Sequence, residues 1–195
     1  MNVTFILASQ SPRRSELLRQ IGLSFTIDPA DVDETVLSGE PPETYAVRVA
    51  LEKARVASKR AGKGIVIAAD TIVVLNSTIL GKPADARDAE RMLDMLSGKA
   101  HRVITGLVLR DVATGKTVTR TAVTKVWFKS LSPGEIRSYV ATGEPLDKAG
   151  AYAIQEKGAL LVEKVEGCYF NVVGLPLSLL GAMLKEFGVD LSGAR

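Results

Sequence analysis

The chain has 195 residues, 46% hydrophobic and 24% charged, the proportions of an ordinary globular protein able to bury a substantial core in one domain, or one domain with two lobes. A formal net charge of +3, dispersed and with few aromatics interleaved, favours a small anionic ligand over a nucleic-acid surface. No leader-like segment and no apolar run near about 18 residues suggests secretion or a membrane partner, and the single Cys168 cannot form an internal disulfide, so a reducing cytoplasm is expected.

Strands and helices alternate along the chain. Phe5-Ile6-Leu7-Ala8 reads as a short buried strand, and Ser9-Gln10-Ser11 as a polar turn. Pro12 suits a first helical position, and Leu17, Leu18 and Ile21 repeat at helical spacing up to Gly22, a natural stop. A strand over Ser24 to Ile27 and an acidic loop from Asp28 to Glu40 come next. A long helix is predicted from about Glu43 to Ala61, with a narrow face of small residues (Ala46, Val49, Ala50, Ala54, Ala57, Ala61) suited to close packing on a sheet. Ile65 to Leu75 is almost continuously apolar and β-branched, as a strand covered on both faces would be.

Asp85 can cap a helix carrying Met92, Leu93 and Leu96 and ending at Gly98. Val103 to Asp111 and Thr117 to Phe128 form a predicted hairpin. Ser132-Pro133-Gly134-Glu135 has capping-box spacing for a helix through Val140, Leu160 to Val165 reads as a strand, and Leu175, Leu179, Met183 and Phe187 mark a last helix. With no repeat or linker, residues 1–195 are expected to form a single α/β domain, and the hairpin beside the βα units demands a mixed sheet.

The polar residues that interrupt this pattern carry the chemistry. Arg13 and Arg14 fall in a first helical turn, where the macrodipole disfavours cations and free N–H groups favour an anion. With the hydroxyls before them they suit a phosphate, although adjacent exposed arginines are also common. Asp70 and Thr71 stand within the apolar run, where a carboxylate is costly to bury without a partner. Asp70 either caps a turn or pairs with an arginine, or it is a carboxylate at the sheet edge that holds a divalent metal or activates water. Glu34 is a candidate second carboxylate, on a loop that could equally be merely solvated. Lys53 reads first as an exposed helix lysine, and Lys82, in Gly81-Lys82-Pro83, could present its ammonium to a phosphate or simply line a turn. His101 and Cys168, each the only residue of its type, lack the third group that would mark a nucleophilic dyad. The dinucleotide and P-loop fingerprints are missing from the sequence.

Taken in order, Ser9-Gln10-Ser11-Pro12-Arg13-Arg14, Glu52-Lys53-Ala54, Ala69-Asp70-Thr71-Ile72-Val73, Gly81-Lys82-Pro83, the run Gly143 to Tyr152 and Asn171 to Pro176 resemble the successive motifs of the Maf family of house-cleaning nucleoside triphosphate pyrophosphatases. The resemblance spans nearly the whole chain. It implies an inosine-triphosphate pyrophosphatase-like fold, with an elongated mixed sheet flanked by helices and a cleft between two lobes. It also implies hydrolysis of a nucleoside triphosphate to monophosphate and pyrophosphate with a divalent cation, Mg²⁺ or Mn²⁺, for which Glu34 and Asp70 are the expected ligands. Asp70 matches the family's general base, and Arg13, Thr71 and Gln155 its specificity positions. Ser9, Arg14, Glu34, Lys53 and Lys82 match polar residues of its cleft. Asp147-Lys148-Ala149-Gly150-Ala151-Tyr152, with Ile154-Gln155, is similar to the branch acting on dTTP and UTP. The expected partner is thus a nucleoside triphosphate, with no nucleic acid; a homodimer is compatible with the chain. The rival reading is a non-catalytic nucleotide-binding regulator of cell division, which would keep the arginines but has no use for Asp70.

Overall fold

The computed structural model describes residues 3–191. Its elements in chain order are β1 (Phe5–Leu7), α1 (Pro12–Gln20), β2 (Phe25–Ile27), α2 (Pro42–Arg60), β3 (Ile65–Leu75), β4 (Thr78–Leu80), α3 (Ala86–Leu96), β5 (Ala100–Asp111), β6 (Thr117–Phe128), α4 (Pro133–Val140), β7 (Val162–Glu166), α5 (Tyr169–Val173) and α6 (Leu177–Lys185). Short 3₁₀ turns, Glu144–Asp147, Ala149–Ala151 and Glu156–Leu161, fill the stretch between α4 and β7. Among the described residues the strands form one seven-stranded sheet in the order β2-β1-β3-β5-β6-β7, with β4 paired to β3. It is mixed, as expected: β1 is parallel to β2 and β3, whereas β4 is antiparallel to β3 and β7 to β6.

By its internal contacts the chain divides into two compact units, each built from more than one stretch. The first comprises residues 1–70, 105–122 and 174–195, of which those up to 191 are described. Its core is the small-residue face of α2 laid on the sheet. Ala50, Ala54 and Ala57 pack with Ile6, Ala8, Val66, Ala68 and Val108. The approach is close enough to require glycine opposite. A Cβ on Gly106 of β5 would lie 2.3 Å from the Ala46 carbonyl oxygen of α2, well inside contact distance. The α1 cap follows the expected pattern, with Pro12 at its first position and Ser11 accepting from the Arg14 N–H.

The second unit comprises residues 71–104 and 123–173. Helix α3 is capped by Asp85 and buries Ala89, Met92, Leu93 and Leu96. Helix α4 opens with the complete Ser132–Glu135 capping box. A buried trio of rings, His101, Phe128 and Tyr152, packs edge to face with centroids 4.7–5.4 Å apart. Asn171 of α5 donates to the Val103 carbonyl and to Thr124 Oγ1, each at 3.0 Å, so part of the 171–176 motif is structural.

Two expectations need correction. The predicted strand from Leu160 begins only at Val162, because Leu160 and Leu161 close a 3₁₀ turn that leaves Leu160 exposed. Leu180, Met183 and Leu184 form the buried side of α6, while Leu175 precedes the helix and Phe187 follows it. Asp70 lies within β3, between Ile65–Ile67, which pair with β1, and Val73–Leu75, which pair with β4.

Candidate functional site

Strand alternation places Asp70 on the same face of β3 as Val66 and Ala68, the face covered by α2. Lys53 lies on the covering face of α2, beside Ala50, Ala54 and Ala57. An acidic residue at the end of the apolar row and a lysine on the covering helix therefore meet. Lys53 Nζ donates to Asp70 Oδ1 at 2.7 Å, with both side chains buried. The same ammonium is 2.7 Å from Glu34 Oε1, on a side chain half open to solvent. Lys53 is therefore not the exposed helix lysine that its sequence suggests. It bridges two carboxylates.

Glu34 is steadied from outside the acidic motif. The buried Tyr45 hydroxyl donates to the Glu34 carbonyl at 2.8 Å. Burial, reinforced by the charges of Asp70 and Glu34, pushes that phenol up to about 12, so it remains a donor at neutral pH. Arg48 holds Glu40 at 2.7 and 2.8 Å and donates to the Thr35 carbonyl at 2.9 Å. Tyr45 and Arg48 carry no motif signal, and sequence reasoning missed both.

The two arginines of α1 divide into different roles. Arg14 is buried, its Nε donating to the Gly174 carbonyl at 2.8 Å and one terminal nitrogen to Ser9 Oγ at 3.0 Å. Burial lowers its pKa, while the negative charge of Asp70 opposes that shift. Ser9 Oγ also accepts from the Ser11 N–H at 3.2 Å, which shapes the turn into α1. Arg13 is half-buried, and its Nε is a buried donor with no partner. Buried donors are rarely left unmet in folded proteins, and an anion would satisfy this one.

Ser9, Arg13, Arg14, Glu34, Lys53 and Asp70 belong to the first unit, whereas Thr71, Lys82 and Gln155 belong to the second. Within the second unit, the exposed Lys82 follows Gly81, whose carbonyl accepts from the Gly150 N–H at 2.9 Å. That bond ties the Lys82 loop to the segment leading to the half-buried Gln155. His101 is 2.8 Å from the Tyr152 hydroxyl through Nε2, while Cys168 exchanges bonds with Thr124. Neither takes part in a Cys–His pair.

Two carboxylates share one ammonium. Their oxygens are no further apart than twice the length of either bond. Among the described residues no group of three or more His, Cys, Asp or Glu side chains converges. Glu34 and Asp70 supply two carboxylates, the donor type of which a hard divalent ion takes one or two before phosphate oxygens and water complete its shell. Among the described residues no helix is long and apolar enough to cross a membrane.

The mixed α/β sheet thus carries a carboxylate–ammonium–carboxylate cluster and, in the first turn of α1, an arginine whose Nε has no partner. In fold the chain is similar to a HAM1 protein from Coxiella burnetii, with a TM-score of 0.55 at 20% identity over 95% of this chain and all of that one. The Staphylococcus aureus Ham1 protein gives a TM-score of 0.52 at 16% identity, covering 94% of this chain and 99% of that one. The family model for Maf-like proteins matches residues 4–187, and the chain belongs to that family. It is 48% identical over 185 residues to a dTTP/UTP pyrophosphatase of Syntrophomonas wolfei, covering 95% of this chain and 98% of the relative. A dTTP/UTP pyrophosphatase of Anaeromyxobacter dehalogenans is 54% identical over 188 residues, covering 95% of each.

Proposed function

We propose that this protein hydrolyses dTTP and UTP to the nucleoside monophosphate and pyrophosphate, clearing such nucleotides, modified pyrimidines included, from the cytoplasmic pool. The observation that carries the chemistry is the buried Asp70–Lys53 pair shared with Glu34. The relatives at about half identity carry the substrate. A non-catalytic regulator would have no use for Asp70 as a base.

In this reading a water attacks the α-phosphorus, a new phosphorus–oxygen bond forms, and the bond to the bridging oxygen breaks as pyrophosphate leaves. Asp70 takes the proton of the attacking water. Lys53 fixes the carboxylate and balances its charge, and Arg13 and Lys82 meet the phosphate oxygens with charge-assisted hydrogen bonds. Arg14 and Ser9 set the turn from which Arg13 acts. Asp70 and Glu34 would hold a divalent cation, which supplies charge neutralisation at the phosphates. Thr71 and Gln155 read the base: an amide offers one donor and one acceptor, which suits the N–H and carbonyls of a uracil or thymine edge. One domain acting as a single module, with no nucleic-acid partner, completes the reading, whether monomeric or a homodimer.

Hydrolysis in ¹⁸O-water with Mg²⁺, across dTTP, UTP, CTP, ATP and GTP, tests this directly. The label should enter the monophosphate of thymidine and uridine. Label in the pyrophosphate, or release of orthophosphate and diphosphate, would mean attack elsewhere. Equal turnover of dTTP and ATP would remove the base assignment alone.

A further inference from the structure

Gln155 sits in a segment whose path is fixed by side chains outside it. Glu156, directly after it, is a non-glycine residue with left-handed backbone at φ +57°. Such conformations persist only where the surroundings over-determine them. Here the surroundings are one carboxylate and one phenol. Glu144 Oε1 accepts from the Tyr139 hydroxyl at 2.8 Å and from the Gly158 N–H at 3.0 Å, while Oε2 accepts from the Lys157 N–H at 3.2 Å. The Tyr139 oxygen in turn accepts from the Ala153 N–H at 3.2 Å. Both ends of the 153–158 loop are thereby tied together, with Gln155 between them.

The clamp leaves no slack. A Cβ on Gly158 would fall 2.0 Å from the Ala153 carbonyl oxygen and 2.7 Å from the Tyr139 hydroxyl. Just before the loop, Tyr152 is anchored by His101 at 2.8 Å. Three donors converge on Glu144, and only an ionised carboxylate accepts them all without presenting a donor of its own. Burial raises the Tyr139 phenol above its ordinary value, which keeps that hydroxyl a donor to Glu144.

We propose that Glu144 and Tyr139 are positioning residues for base selection: their clamp on the backbone of residues 153–158 sets the presentation of Gln155 and thereby the preference for uracil and thymine. The inference rests on Gln155 reading the base, as proposed above. Neither residue needs to touch the substrate.

The test is kcat and KM for dTTP, UTP, CTP and ATP with wild type, Glu144→Gln, Tyr139→Phe, Gln155→Ala and the double variant Glu144→Gln/Gln155→Ala, each checked for a folded Tm. The dTTP-over-ATP ratio of kcat/KM should fall at least about tenfold in Glu144→Gln and in Tyr139→Phe, mainly through a raised KM for dTTP. The double variant should show the same ratio as Gln155→Ala alone, because Glu144 acts through that residue. If Gln155→Ala collapses the ratio while the two clamp variants keep it, or lower all four substrates by one common factor, the clamp has no selective role. If Gln155→Ala itself keeps the ratio, the base reading falls and this inference with it. Should Glu144→Gln fail to fold, Tyr139→Phe decides, since it keeps the buried ring and removes only the hydroxyl.

Discussion

Lys53 and Asp70, 17 residues apart in the chain, meet at 2.7 Å, with only about a tenth of either side chain exposed. Removing one partner of a buried ion pair strands the other and typically costs about 3–5 kcal/mol. Lys53→Met should therefore lower stability by that order and cut kcat/KM for dTTP. It should also leave Asp70 and Glu34 with no cation between them, so Mg²⁺ should raise Tm more in the variant than in wild type. Melting curves of both proteins in EDTA and in Mg²⁺ check this, and equal shifts would argue against a shared cation site.

Arg14 and Lys82 should separate folding from binding. Arg14→Met removes the donors that reach the Gly174 carbonyl and Ser9, at a cost of roughly 1–3 kcal/mol of stability. Lys82 is exposed, so Lys82→Ala should leave stability within about 0.5 kcal/mol. Its kcat/KM should nonetheless fall about tenfold or more, as expected for a lost charge-assisted phosphate contact. Urea midpoints beside kinetics test both halves.

Much of this was legible in the sequence wherever one local signal decides. The apolar run Ile65–Leu75 is bounded as strand β3 is, and the Asp85 cap and the Ser132–Glu135 box open their helices where expected. The misses have separate causes. Strand β4 has three residues, too few for a periodic signal, and turns back onto Val73 to Leu75 of β3 across Asn76 and Ser77, with Asn76 at φ +55°. The 3₁₀ turn Glu156–Leu161 follows a backbone path that Glu144 and Tyr139 hold from outside it. At the site, Asp70 and Thr71 stood out because they interrupt an apolar strand. Lys53 did not, since a lysine on a helix is ordinary until the facing strand is known.

His101 should make the fold sensitive to mild acid. Burial lowers its pKa from 6.5 to about 4, so below pH 6.5 the unfolded chain binds a proton that the folded one refuses. Its contribution is fully present above pH 6.5 and is lost as pH falls towards 4, by up to roughly 3 kcal/mol. His101→Gln removes that titration. Urea midpoints at pH 8 and pH 5 should therefore differ more for wild type than for the variant. Equal differences would contradict the buried neutral imidazole.

In the proposed function Asp70 performs chemistry and does not merely hold the fold. The measurement is kcat of Asp70→Asn on dTTP with Mg²⁺, alongside its affinity for a non-hydrolysable dTTP analogue. Asparagine keeps the size and removes the charge, so binding should survive while turnover falls at least about a hundredfold, the range for losing a general base. A folded Asp70→Asn protein that binds the analogue and turns over dTTP at near the wild-type rate would contradict the account.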